Sequence, residues 1–476
     1  MLSIMHYVQI LQIVSLVVFS ACAPIATHYA LVEQRLATHD GMGADAAIEK
    51  GEGGYGRNNR LLYLLDRGMT LSLSGQFEKS NQLLDQAAIT ADALYTNSIT
   101  RSGASLLIND NVLPYSGEDF ERVMIHLISA LNYAQQGQIS DALVECRRVD
   151  TKLNSINDDY KEKKNAYKED AFARYLSAIL YEAQGDGEGI NNAFIAYRKS
   201  FEIYSDWATA YGTPIPRMIG ADLLRTTDAL GMREEHEAYT KQFPKTTWTK
   251  ISNQKGQGEL IIVSFNGRSP QKENLFFDIS LDRNIINSIV STAIWQNHAG
   301  SGNIPFSTIG QLVRIALPTY IPQKSNVGQV SVGVAGTAVS FSSQSVLMED
   351  ITAIAQRNLE DRINRVRIKA ITRATIKAIA VRNTSKKAEK EVGGMGGLLL
   401  GKLAEAAAAT TEVADLRSWR TLPDEIHLTR MVIPEGHYQV TSQFLGRHGE
   451  NIDALLPQQV SVKAGEKRFI VMRTIH

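Results

Sequence analysis

Cys22 has the most definite chemical setting in the chain. It follows an apolar run from Val8 to Ala21 that exits through the small pair Ser20-Ala21. A short apolar core with a small-residue exit is the layout of a cleavable secretory signal. The core is too short for a comfortable span of about 20 residues. Removal of residues 1–21 would leave Cys22 as an acylated first residue. The n-region Met1–Tyr7 has no Lys or Arg, so an uncleaved anchor with an incidental cysteine is the competing reading. Cys146 is expected to pack as a small hydrophobe. With Cys22 carrying lipid, no intrachain disulfide is possible. The cysteine count also excludes a zinc site built on four cysteines or on two cysteines with two histidines.

Two glycine motifs suggest phosphate binding and fail on context. Residues 51–56 spell G-x-G-x-x-G, but Ala44–Lys50 before them has no strand character. Residues 396–402 spell G-x-x-x-x-G-K, but Leu403 stands where Ser or Thr would ligate magnesium, and no strand leads in. There is no H-E-x-x-H, no G-x-S-x-G and no metal-spaced cluster among the ten histidines; His126, His236 and His427 are expected to pack or sit at surfaces. A glycosidase-type carboxylate pair assembles only in the fold, so a cell-wall-modifying enzyme stays as the weakest alternative. The expectation is a non-catalytic chain with no cofactor beyond the covalent lipid on Cys22.

A stripe of basic residues is the next candidate. Arg362, Arg365, Lys369, Arg373 and Lys377 step by three or four and share a helix face. Ile363, Val366, Ala370, Ala374 and Ala378 form the adjoining apolar stripe. Residues 357–390 hold eleven basic and three acidic residues. Such a face meets anionic lipid, glycan phosphate or an acidic partner, or is simply solvated. Further on, Trp419 stands between Arg417-Ser418 and Arg420. That pattern suggests a structural junction, with the indole packed and the guanidiniums reaching carbonyls or stacking.

The elements that must position these residues are read from pattern. The chain has 476 residues, 44% hydrophobic and 21% charged, with 50 Lys+Arg against 50 Asp+Glu. It is long enough for two or three domains. Zero net charge argues against wholesale nucleic-acid binding. From Arg60 a pattern repeats. Gly68, Leu71, Gly75, Phe77, Ser80, Leu84 and Ala87 share their offsets with Ala130, Tyr133, Gly137, Ile139, Ala142, Cys146 and Val149. A small residue lets two helices touch, and Gly turns the chain into the second helix. A third copy starts at Ala178, Tyr181 and Gly185, and a weaker fourth has Gly231 at its turn. This spacing resembles the tetratricopeptide repeat. The resemblance implies a binding surface for peptides or proteins on the concave side.

Beyond the repeats, Glu259–Phe265 reads as a buried strand, with further strands at Asn274–Leu281 and Leu312–Tyr320 and a helix at Asn284–Gln296. Gly328–Ser342 alternates as a hairpin; a pore-forming hairpin is the sharper alternative. Val346–Lys390 reads as one helix. Four more strands follow Pro423, at Glu425–Val432, His437–Phe444, Gln458–Val462 and Arg468–Arg473. The expected organisation is signal 1–21, tether 22–59, repeat array 60–245, mixed strand and helix domain 258–392, glycine/alanine-rich segment 393–411 and C-terminal β module 412–476. The fold class is α+β.

The signal resembles those of bacterial lipoproteins, departing at Phe19, where Leu is usual. Ala23 rather than Asp after the cysteine implies the outer membrane, facing the periplasm. The order of segments resembles an uncharacterised family of proteobacterial tetratricopeptide-containing lipoproteins. That family carries no established activity with it; the lipid signal, the repeat array and the absence of a catalytic constellation point to protein partners on the repeats, a membrane contact through the Cys22 lipid and a scaffold role in envelope assembly, secretion or surface-polymer export. An oligomeric translocation or pore component, assembled from copies of the chain, is the alternative.

Overall fold

The computed structural model describes residues 23–100, 113–159, 167–290, 310, 312–337, 339–392 and 413–476. Cys22, the signal and the segment 393–411 lie outside them. The expected tether is corrected from Ala23 onward. Helices α1 (Ala23–Ala37) and α2 (Gly41–Lys50) form a hairpin. Tyr29, Val32 and Leu36 recur at helical spacing and are buried with Ala44, Ala47 and Ile48 in the main core. Residues 51–56 hold one helical turn that follows α2 directly, with no strand before it.

Four helix pairs follow. They are α3 (Arg60–Leu73) with α4 (Phe77–Thr100), and α5 (Asp119–Gln135) with α6 (Ile139–Asp159). Then come α7 (Ala171–Glu182) with α8 (Gly187–Ala210), and α9 (Met218–Leu230) with α10 (Arg233–Gln242). The pairs are tetratricopeptide-like at their turns. Gly75, Gly137, Gly185 and Gly231 all take φ between 67° and 78°, the left-handed region that Gly adopts without strain. In three turns the two amides after the helix return to its last carbonyls. Gln76 N donates to Leu71 O, Gln138 N to Tyr133 O and Met232 N to Thr227 O, which satisfies carbonyls the helix end leaves open. The small residue of the repeat marks a close approach. A Cβ on Gly68 would stand 2.5 Å from Leu84 Cδ2.

The strands build a sandwich that crosses the expected domain boundary. One sheet runs β10 (Lys467–Thr474), β1 (Gln257–Asn266), β7 (Glu425–Pro434), β6 (Val346–Asp350). The other runs β5 (Ser340–Gln344), β4 (Val327–Ala335), β8 (Gly436–Gly446), β9 (Asn451–Val462). Both sheets therefore combine strands from before and after 393–411, alternating in the first and meeting at β4–β8 in the second, so there is no separate C-terminal β module. Only pairing across that gap gives β1 a partner on each edge: β10 parallel and β7 antiparallel.

Period-2 alternation explains the layers. Leu260 and Ile262 of β1 meet Val330, Val332, Val334, Val440 and Phe444 inside the sandwich. Ile261, Val263 and Phe265 face the other way, into the core shared with the helices. Both faces of β1 are buried, which is why it reads as an unbroken apolar run. The 328–342 hairpin is ordinary sheet: Val330, Val332 and Val334 fill the sandwich, while Val339 is exposed. Val346–Asp350, expected as helix, is strand β6, because it completes the edge of the first sheet beside β7.

A third unit is small. Strands β2 (Gln271–Ser280) and β3 (Leu312–Ile321) pair antiparallel, with helix α11 (Arg283–Val290) after β2. The long helix α12 (Ile351–Val392) lays Ala370 and Ala374 against Val313, Ile315 and Leu317. A two-stranded ribbon needs such a covering face to be stable. No helix among the described residues is long and apolar enough to cross a membrane.

Candidate functional site

The helical array meets the first sheet through the first helices of its pairs. Helices α3 and α5 pack on β10, and α7 packs on β6. The side of the array turned inward is thus occupied by the chain's own sheet. Buried carboxylates on those helices hold the β body at three places.

On α3, Asp66 is fully buried. Its Oδ2 accepts from Tyr29 Oη at 2.6 Å and from Tyr55 Oη at 2.8 Å, and its Oδ1 accepts from Thr421 Oγ1 at 2.9 Å. On α5, Glu121 Oε1 accepts the Trp419 amide at 2.6 Å, and its Oε2 accepts from Tyr115 Oη at 2.5 Å. Glu118 beside it takes Lys272 and Arg362. The third place is an ionic cluster. Arg430 of β7 donates from Nε to Glu259 at 2.6 Å, and from Nη1 to Asp222 at 3.0 Å and Tyr175 Oη at 2.8 Å. Arg225 pairs with Glu182 and Asp222, and Lys467 with Glu259 and Glu182. Three carboxylates face three cations, which is what burial of so many charges requires.

The electrostatics follow. Burial works against ionisation of Glu259, but Arg430 and Lys467 beside it hold its carboxyl below the usual range. Burial pulls the Lys467 ammonium down to about 8, against the pull of Glu259. Burial raises Asp66 to about 6 although Tyr29, Tyr55 and Thr421 all donate to it. The folded state therefore binds Asp66's proton more tightly than the unfolded chain does. Stability from this group is greatest below pH 4, falls between about pH 4 and 6, and is level above. Two pKa units correspond to about 3 kcal/mol. The stability of the wild-type chain relative to Asp66→Asn is expected to decline by about that amount across this window. Urea unfolding of both chains at pH 4, 5, 6 and 7 reads it, and a constant difference would rule out a buried Asp66 that ionises.

The residues singled out from sequence fall differently. Arg417 donates from Nη1 to Leu113 O at 2.8 Å, pairs with Asp415 at 2.7 Å and lies over Tyr115. Trp419 is 0% exposed. Arg420 pairs with Glu33 at 3.0 Å and covers the Tyr29 ring at 4.3 Å. All three thus sit between the helices and the sandwich. The basic stripe does not form one open row. Arg362 pairs with Glu118, where α12 packs against α5. Arg373 is 3% exposed, because α12 is buried all round from Thr372 to Thr375. Arg365 is exposed, and Lys369 and Lys377 are half-buried. Cys146 is buried, and burial pushes its thiol up to about 12, so it packs and does not react. No group of three or more His, Cys, Asp or Glu among the described residues is arranged to hold a metal.

An open surface remains on the other side of the array. A groove of about 550 Å3 lies between α4, α5 and α6. Glu78, Asp85, Asp141 and Glu145 line it, with Arg148 as its one Lys or Arg side chain. His126 Nδ1 is 2.8 Å from Glu145 Oε2. Arg148 bridges Glu145 at 2.9 Å and Asp85 at 3.4 Å. The inner wall is a polar ladder in which Asn132 Nδ2 donates to Ser80 Oγ at 2.9 Å and Asn81 Oδ1 at 2.8 Å. The spacing of the repeat gives no hint of this groove; a helical-wheel count of acids on α4 and α6 would have.

No family profile and no curated protein matches the chain. Among solved structures, MamA is similar at 15% identity and a TM-score of 0.29, over 45% of this chain and 93% of MamA. A putative kinesin light chain from Podosopora anserina with nearly identical TPR-like repeats is similar at 15% identity and a TM-score of 0.30, over 46% and 93%. The repeat architecture rests on the turns and contacts of this chain itself.

Proposed function

We propose that the chain is a non-catalytic scaffold that holds a protein partner at the bacterial cell envelope. The observation that carries this is the division of the array's two sides. The inner side is spent on the chain's own sheet, and the outer side keeps a polar groove that no described residue fills. An array of stacked helix pairs presents an extended surface of this kind. The stage it serves is envelope assembly, secretion or surface-polymer export. The 328–342 hairpin belongs to the sandwich core, which leaves the pore reading without its main support.

Acylation of Cys22 and outer-membrane attachment complete the proposal. The folded α1 changes its geometry. Tyr29, a buried core residue of α1, is six positions past Ala23, where α1 begins, about 9 Å along a helix. The lipid would hold the body against the membrane, not on a long tether. Cys22→Ser is expected to move the protein from the membrane to the soluble envelope fraction. Mass spectrometry of the wild-type N-terminus should show the lipid. A Cys22→Ser chain that stays wholly membrane-bound refutes the anchor. Affinity capture after gentle detergent extraction should return one stoichiometric partner, and recovery of the chain alone would count against the scaffold.

A further inference from the structure

We propose that the free edge of β2 pairs antiparallel with the same edge of a second copy of this chain, joining two β2–β3 ribbons into one four-stranded sheet. This goes beyond the scaffold reading and does not depend on it. The first observation is the edge itself. Strand β2 has β3 on one side and no strand on the other among the described residues, so alternate residues turn their amides and carbonyls outward. Folded proteins blunt such an edge with Lys, Pro, a bulge or a very short strand. Strand β2 has none of these. It is ten residues long, it pairs with β3 without a register shift, and residues 273–280 include no Lys, Arg, Pro or Gly. Strand β3 does carry such a device, Pro318.

The second observation is what the edge displays. Leu275, Phe276 and Phe277 are 47%, 51% and 41% exposed. The register puts Leu275 and Phe277 on one face of the ribbon, with Leu317 and Ile315, and Phe276 on the other, with Ala316. Helix α12 lies over β3, so Ile315 and Leu317 are buried while β2 stands clear. A helix laid on the ribbon would cover one face only, and a lipid bilayer would leave the outward amides and carbonyls unmet. A further strand meets those groups and covers both faces at once. The third observation is self-complementarity. With Phe276 opposite its own copy, Leu275 meets Phe277 twice, and apolar and aromatic pairs of this kind stabilise a sheet. Asn274 then falls opposite Asp278 and Glu273 opposite Ile279, so no two carboxylates face each other. Asp278 is already paired with Arg314. The relation is a two-fold, so association closes at two copies.

Sedimentation equilibrium of the purified, unacylated Cys22→Ser chain tests it. The molar mass should be twice that of one chain and should fall towards one chain on dilution. Phe276→Lys sets two ammonium groups directly opposite each other, and should raise the dissociation constant about tenfold or more. Phe276→Glu should do the same with two carboxylates. Mixed in equal amounts, these two variants should form a dimer tighter than either forms alone, because Lys then faces Glu. Ile89→Lys, at a 64% exposed apolar position on α4, should leave the dimer unaltered. Both positions are exposed, so the variants keep the fold, and circular dichroism checks it. A chain that stays monomeric at its highest soluble concentration overturns the assignment. So does a dimer that Phe276→Lys leaves intact, equal weakening by Ile89→Lys, or a Lys and Glu mixture no tighter than its components. Assemblies larger than two copies that Phe276→Lys abolishes overturn the closed two-fold pairing as well.

Discussion

Replacing Arg430 with Ala should cost about 3–5 kcal/mol of stability, because the residue is one partner in a buried ionic cluster. Its guanidinium reaches Glu259 on its own sheet and Asp222 and Tyr175 on the helices. Without it, Asp222 and Glu259 remain buried, with only Arg225 and Lys467 to balance three carboxylates. The penalty comes mainly from those stranded charges. Three measurements separate this from simple loss of packing. Arg430→Lys should recover less than half, since one ammonium cannot fork to carboxylates on two elements. Asp222→Asn should partly rescue Arg430→Ala, giving a positive coupling in the double-mutant cycle. The deficit should also shrink as pH falls, because Glu259 loses the cation that keeps its carboxyl low and takes up a proton in the folded variant. Urea unfolding gives all three. Arg35→Ala, at an exposed ion pair with Asp40, should stay within about 1 kcal/mol. If Arg430→Ala behaves like Arg35→Ala, the cluster does not hold the array to the sheet.

The cluster is readable in part from the chain. In β7, Arg430 falls in phase with Ile426 and Leu428, and in β1, Glu259 falls in phase with Ile261, Val263 and Phe265. Lys467 has the same phase as Phe469. A charge in step with an apolar face marks a buried, paired group. What chain order cannot give is the pairing of β1 with strands about 170 and 210 residues later. Strand partners that distant leave no local trace, so 258–392 and 412–476 look like separate modules. The helix pairs are legible because small residue, turn glycine and packed second helix all lie within 20 residues of each other. The leader reads as a tether because its glycines stand out more than the spacing of Tyr29, Val32 and Leu36. The basic stripe is a helix face by count, but a wheel does not say which neighbours that face meets. Arg362 finds Glu118, and Arg373 is enclosed.

The other clamp of the same interface gives the second large effect. Trp419→Ala should cost about 3–5 kcal/mol, the usual range for removing a buried Trp. The indole is 0% exposed, and its Nε1 donates to Thr421 Oγ1 at 2.8 Å. Thr421 passes the contact on to Asp66 at 2.9 Å, so one side chain supports both α3 and the loop before β7. Trp419→Phe keeps most of the ring and loses the donor, and should cost about 1–2 kcal/mol. Thr421 still donates to Asp66 in that variant, so the decline between pH 4 and 6 should persist. The Trp419 amide bond to Glu121 is backbone and survives either change. Arg430 and Trp419 share no partner: one is held by α7 and α9, the other by α3 and α5. If the array and sandwich separate as one cooperative unit, the two losses add. A double variant no less stable than Arg430→Ala alone would mean that the first break already frees the whole face. The two clamps would then act as one, and the inner side of the array would be a surface that can open.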